Sequence, residues 1–237
     1  MKKLFALSIL LLTLVSGTPS LANLLGLEEG YELGDDAAQN KIQKAKEAII
    51  IGDYDTALSI LKPLAQSGNP VAQLNLGVMY RRGHGVAQDK AEGVKWYMLA
   101  AEQGHEGAQF NLGAVLYNRG DLPENRSAAV KLFSLASEQG HDPSRQVLDY
   151  MFKIGLGAAQ EGNFDIALRE WKPLAEHGMS NAQINLGHMY VRGDGVDKNP
   201  TTAFSWYLKA AEQGIMKAQY FGLMQQKLKA VKTRAPW

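Results

Sequence analysis

Ser59-Ile60-Leu61-Lys62 places a hydroxyl and an amine one helical turn apart, the Ser-x-x-Lys spacing that gives penicillin-recognising enzymes a nucleophile and its base. The rest of that machinery is missing. No Ser-Asp-Asn follows, and Lys232-Thr233 is not completed by glycine. His105-Glu106 begins like a zinc-protease helix, but Gln109 stands where the second histidine ligand belongs. The other histidines are His84, His141, His177 and His188. His105 and His141 are 36 residues apart, too far to converge on one ion if each belongs to a different helix pair. Glu102, Glu138, Glu176 and Glu212 recur at one position of a repeat, which marks them as helix-end charges. Gly83-His84-Gly85 and Gly193-Asp194-Gly195 read as turns, since no Lys-Ser/Thr follows to hold phosphate. These residues predict no catalytic site, no bound cofactor and no metal.

The composition agrees. The chain has 237 residues, 46% hydrophobic and 21% charged, as expected of a globular protein. It has no cysteine, which excludes a disulfide scaffold, a thiolate metal site and a cysteine nucleophile. The net charge of +1 is too small for a nucleic-acid binder that works through phosphate neutralisation.

Internal repetition governs the rest. With a shift of 110 residues, Gly52-Asp53-Tyr54-Asp55-Thr56-Ala57-Leu58 meets Gly162-Asn163-Phe164-Asp165-Ile166-Ala167-Leu168. At the same shift Ala100-Ala101-Glu102-Gln103-Gly104 meets Ala210-Ala211-Glu212-Gln213-Gly214, and Arg169 takes the place of Ser59. A shorter period lies inside the long one: Gly68, Gly104, Gly140, Gly178 and Gly214 are spaced by 36, 36, 38 and 36 residues. A period in the mid-thirties without strand-like alternation is that of stacked helical hairpins. The recurring glycines predict left-handed helix ends. Asn69-Pro70, Asp142-Pro143 and Asn199-Pro200 predict a capping side chain before a first-turn proline. Gly77, Gly113 and Gly187 fall mid-helix, where glycine costs about 1 kcal/mol against alanine. They predict close helix crossings, filled by the bulk of Trp96-Tyr97 and Trp206-Tyr207 one helix later.

The expected fold is therefore all-α: an α-solenoid of about five antiparallel helix pairs with a C-terminal capping helix. The pairs are expected at about 36–51 with 54–67, 70–82 with 90–103, 106–118 with 124–139, 143–160 with 164–177, and 180–192 with 200–213. The cap follows from about Met216 to Val231. Ahead of them, Lys2-Lys3, an apolar run from Leu4 to Val15 and Ser20-Leu21-Ala22 read as a signal peptide over 1–22, cleaved after Ala22. The run is too short to span a bilayer, which needs about 20 residues. A periplasmic or secreted location follows, with no stable membrane insertion after cleavage. Residues 23–35 read as a loose acidic leader, and 36–237 as the repeat domain.

Ala-x-x-x-Leu-Gly-x-x-Tyr, then Gly-x-Gly-Val, then Trp-Tyr-x-x-Ala-Ala-Glu-Gln-Gly, resembles the Sel-one-like repeat, a relative of the tetratricopeptide repeat. The likeness is strongest at 70–104 and 180–214, and good over 105–140, while the hairpins at 40–68 and 144–178 look closer to tetratricopeptide hairpins. The resemblance implies a non-catalytic adaptor that binds another protein or a peptide on its concave side. It further implies ligand-facing positions three before, one after and four after the helix glycine. Those are Leu74, Val78 and Arg81; Phe110, Ala114 and Tyr117; and Ile184, His188 and Val191. Phe152 and Leu156 flank Gly155 in the same way, and Tyr220 and Met224 extend the set on the last helix. The same side chains could instead pack between neighbouring helices. The competing function is an envelope hydrolase or cell-wall-binding protein, related to β-lactam or peptidoglycan chemistry.

Overall fold

The structure is a computed structural model that describes residues 28–118 and 122–214. Among these, ten helices and no strands occur. They are α1 (Glu28–Ile51), α2 (Tyr54–Gln66), α3 (Pro70–Arg82), α4 (Lys90–Glu102), α5 (Glu106–Asn118), α6 (Pro123–Glu138), α7 (Asp142–Gln160), α8 (Phe164–Glu176), α9 (Ser180–Arg192) and α10 (Pro200–Glu212). The expected signal peptide and C-terminal cap lie outside the described residues, with Tyr220 and Met224.

The chain forms two compact units, 1–72 and 73–237. In the first, α1 packs on α2. Ile42, Ala45 and Ala48 form the buried stripe of α1, and Ala57, Leu61 and Ala65 that of α2, both at helical spacing. The α1 backbone begins at Glu28, so helix reaches into the stretch expected to be a loose leader. Once 36–51 is helical, each added residue gains a hydrogen bond for one more fixed residue, and no proline stops the extension.

In the second unit successive helices pack on one another from α4 through α10, and α6 also packs on α8. This is an α-solenoid, and three devices recur in the chain. The first is the turn between pairs. Gly68, Gly104, Gly140, Gly178 and Gly214 all have φ between 77° and 99°, and a Cβ there would meet nothing within 4 Å. Glycine is required for the left-handed backbone alone.

The second device is a ring seated on a glycine. A Cβ on Gly77 would lie 2.7 Å from the Tyr97 ring, on Gly113 2.9 Å from Phe133, and on Gly187 2.5 Å from Tyr207. At Gly155 it would strike Trp171, whose indole N–H donates to the Phe152 carbonyl at 3.2 Å. The tyrosine of each Trp-Tyr pair therefore fills the crossing, while Trp96 and Trp206 stand beside it half-buried.

The third device is a glutamine lock that sequence reasoning missed. Gln103 donates to Gln73 at 2.7 Å, Gln139 to Gln109 at 2.9 Å and Gln213 to Gln183 at 3.0 Å, always across 30 residues. The acceptors are buried, so each lock satisfies a polar group that water does not reach. The constant Gln of Glu-Gln-Gly was the available signal.

Capping follows the expected pattern at two of three sites. Asn69 accepts from the Ala72 N–H at 2.9 Å and Asn199 from Thr202 at 3.0 Å. At α7 the expectation is corrected. His141, not Asp142, is the cap, its Nδ1 accepting from the Ser144 N–H at 3.3 Å. Asp142 is already helical and pairs with Arg145 one turn on.

Candidate functional site

Ser59 and His105 make local hydrogen bonds. The Ser59 hydroxyl donates to the Thr56 carbonyl of its own helix at 2.8 Å, and both Ser59 and Lys62 are exposed. His105 accepts from the Gly107 N–H at 3.2 Å, doing at the start of α5 what His141 does at α7. Glu102, Glu138, Glu176 and Glu212 are exposed last residues of α4, α6, α8 and α10. Among the described residues no group of three His, Asp or Glu could hold a metal ion, and no helix is long and apolar enough to cross a membrane.

The expected ligand-facing positions sit on α3, α5, α7 and α9, and every described one is half-buried or exposed. They divide by what they touch. Leu74 packs on the Ala100, Ala101 and Ala108 cluster between neighbouring pairs. The Phe110 ring is 5.7 Å from Phe133 and 5.0 Å from His141, and Phe152 is 6.1 Å from Trp171. These aromatics thus have one face in the core. His188 meets Tyr207 edge-on at 5.6 Å, and Ile184 is half-buried on the same helix. Burial holds the His188 imidazole below its ordinary value of 6.5, and the positive charge of Arg192 adds to that. Leu156 and Val191 are exposed, at 36% and 46%.

Val78, Arg81 and Ala114 come together on a cleft of about 490 Å³ formed by α3, α4 and α5. Arg82, Lys90, Tyr97, Asn111 and Asn118 also line it. The Arg81 guanidinium lies over the Tyr97 ring at 5.6 Å. Its stem fills the space a Cβ on Gly93 would need. Burial pushes the Tyr97 phenol up, while Arg81 and Arg82 pull it back by stabilising the phenolate.

One pair further along, the same positions look different. Tyr117 replaces Arg81 and Arg126 replaces Lys90. The Arg126 guanidinium stacks on Tyr117 at 4.7 Å and bonds both oxygens of Glu170, at 2.8 and 2.7 Å. Arg126 is 7% exposed and Glu170 1%, because α6 and α8, which carry them, pack against each other. Sequence reasoning missed this pair, which joins residues 44 apart in sequence. The sole hint was Glu170 in a place where the internal copy has Ile60.

The repeated skeleton with variable side chains at set positions matches a known pattern. The Sel1 repeat matches three times, over residues 70–105, 107–141 and 180–215. The chain carries three Sel1 repeats. Proteins of this family are generally non-catalytic scaffolds that bind other proteins. The hairpins α1–α2 and α7–α8 lie outside the matched residues. The chain is 33% identical to a Sel1 repeat protein from Oxalobacter formigenes of known crystal structure, with 76% of this chain and 71% of that one covered and a TM-score of 0.41. It is 30% identical to a protective antigen of uropathogenic Escherichia coli strains that displays an SLR fold, over 78% of this chain and 41% of that one, with a TM-score of 0.42. It is also 37% identical over 65 residues to the exopolysaccharide production negative regulator of Rhizobium meliloti (strain 1021), covering 27% of this chain and 24% of that protein. The counterpart from Rhizobium leguminosarum bv. viciae is 34% identical over the same length. The match thus spans about a quarter of these two curated relatives.

Proposed function

We propose that this Sel1-repeat protein is a non-catalytic adaptor of the bacterial periplasm. It holds a segment of another protein on the face built by the first helices of its repeats. One observation carries the reading. The ring-on-glycine and glutamine devices recur in all three matched repeats, while the positions just after each helix glycine vary. Val78, Ala114 and His188 occupy one of these positions, and Arg81, Tyr117 and Val191 the other. Constancy of skeleton with variation on one face is how a repeat protein separates folding from recognition. The basic start, short apolar run and small-x-small site of residues 1–22 support export. The exopolysaccharide regulators among its relatives favour a regulatory partner in the cell envelope.

The test is an in-cell crosslink. A photoreactive amino acid replaces Tyr117 on the recognition face, and a second protein carries it at exposed Lys95. A discrete protein adduct from position 117 and not from 95, in the periplasmic fraction, is the expected result. Absence of an adduct from both positions, in a chain with normal helix content, overturns the reading.

A further inference from the structure

The cleft of α3, α4 and α5 gathers three cations, Arg81, Arg82 and Lys90, and among the described residues no carboxylate lines it. Asn111 and Asn118 add amide donors from α5. The next pair shows what such a position accepts. Arg126 occupies the place of Lys90, and there it is met by both oxygens of Glu170. Glu170 immediately precedes Trp171, the ring seated on a helix glycine. The residue preceding the corresponding ring on α6, Phe133, is Leu132. The first pair therefore repeats the cation of the second without repeating its acid.

Two further details make the cleft more than a charged surface. Gly93 is replaced by Ala129 and Ala203 in the other two matched repeats, and it alone opens the slot that Arg81 occupies. Arg81 is replaced by Tyr117 and Val191, so no shared packing role accounts for it. Glycine within helix α4 is itself unfavourable, by about 1 kcal/mol, and what it allows is the close approach of the Gly77 carbonyl, 2.7 Å from the place of a Cβ, together with the seating of the Arg81 stem beside Tyr97.

We infer that this cleft binds a carboxylate of the partner protein, from an acidic side chain or its C-terminus, between Arg81 and Lys90, with Arg82 and the two asparagines at its rim. The ligand carboxylate takes the part that Glu170 plays inside the chain. The fork of Arg81 suits two-oxygen recognition, and Lys90 supplies a point charge. This inference rests on the adaptor reading above and names the chemistry its ligand brings.

The test places the photoreactive amino acid at exposed Asn118, on the rim, in the full-length protein in its native host, with adducts mapped by mass spectrometry. The expected adduct lies within a few residues of an Asp, a Glu or a C-terminus of the captured protein. Its yield falls at least tenfold in Arg81→Gln/Lys90→Gln and returns in Arg81→Lys/Lys90→Arg, which keeps both charges. Circular dichroism of each variant confirms that the helices persist. An undiminished adduct in the glutamine variant, a captured segment without a carboxylate, or a uronic-acid polysaccharide in place of a protein overturns the inference. An adduct from position 117 with none from 118 also overturns it, while leaving the adaptor reading standing. No adduct from either position removes both.

Discussion

Pair α3–α4 and pair α5–α6 are built on one plan, with a ring on a glycine and a glutamine lock in each. They differ in what they do with a cation at a single position. In α5–α6 the charge is turned inward, covered by α8 and neutralised by Glu170. In α3–α4 it is turned to an open cleft with two arginines beside it. The lesson is that a repeat can use the same lattice point for folding in one copy and for recognition in the next. Neighbouring helices decide which.

The largest expected effect breaks the inward pair. Glu170→Ala strands a buried guanidinium and should cost about 3–5 kcal/mol of stability in denaturant unfolding. At the matching position of the first pair, Lys90→Ala leaves an exposed site and should change stability by less than about 1 kcal/mol. Equal losses would dissolve the distinction.

A middle-sized effect compares the two crossings. Gly77→Ala meets the Tyr97 ring at 2.7 Å and the Gly93 carbonyl at 2.9 Å, and the second of these is backbone that cannot turn aside. For Gly113→Ala the three nearest atoms all belong to the Phe133 ring, from 2.9 Å. Overpacking of about 1–3 kcal/mol, offset by up to about 1 kcal/mol of helix propensity, should leave Gly77→Ala the more damaging in thermal unfolding. The reverse order would mean that α3 and α4 can move apart more easily than α5 and α6.

The smallest effect is a pH dependence at the third matched repeat, where neither cation is present. The folded state holds His188 below its ordinary 6.5, so the unfolded chain binds more protons through that window. Stability should therefore decline as pH falls from about 6.5 toward the folded value and level off below it. His188→Asn should remove that portion of a pH-stability profile and leave the rest.

Much of this architecture was legible in the sequence. The spaced glycines announced the turns, and Asn69 and Asn199 announced two caps, because these depend on local backbone chemistry. Gly77, Gly113 and Gly187 announced the crossings, since a glycine mid-helix has a cost that only packing offsets. What could not be read was set by distant contacts. Glu170 reaches Arg126 from two helices away, and Phe110 and Phe152 turn one face into the core while remaining half-exposed. His141 displaced Asp142 as a cap because its ring nitrogen reaches the Ser144 N–H, an option that a preference for Asn or Asp before proline overlooks. The cleft itself was half-visible. Arg81, Val78 and Ala114 were placed by the repeat register, but Lys90 and Gly93 come from the second helix, where no ligand position was expected.

The most direct test of the account is a crossed measurement on Arg81→Gln and Arg126→Gln. Each variant is read by its unfolding temperature and by the adduct yield from a photoreactive residue at position 118. Opposite responses are expected. Arg126→Gln lowers the unfolding temperature by about 6 °C or more and keeps the adduct wherever the protein is folded. Arg81→Gln leaves the temperature within about 2 °C of the parent and loses most of the adduct. If both variants move only the unfolding temperature, the cation of the first pair is structural, and the cleft is not a recognition site.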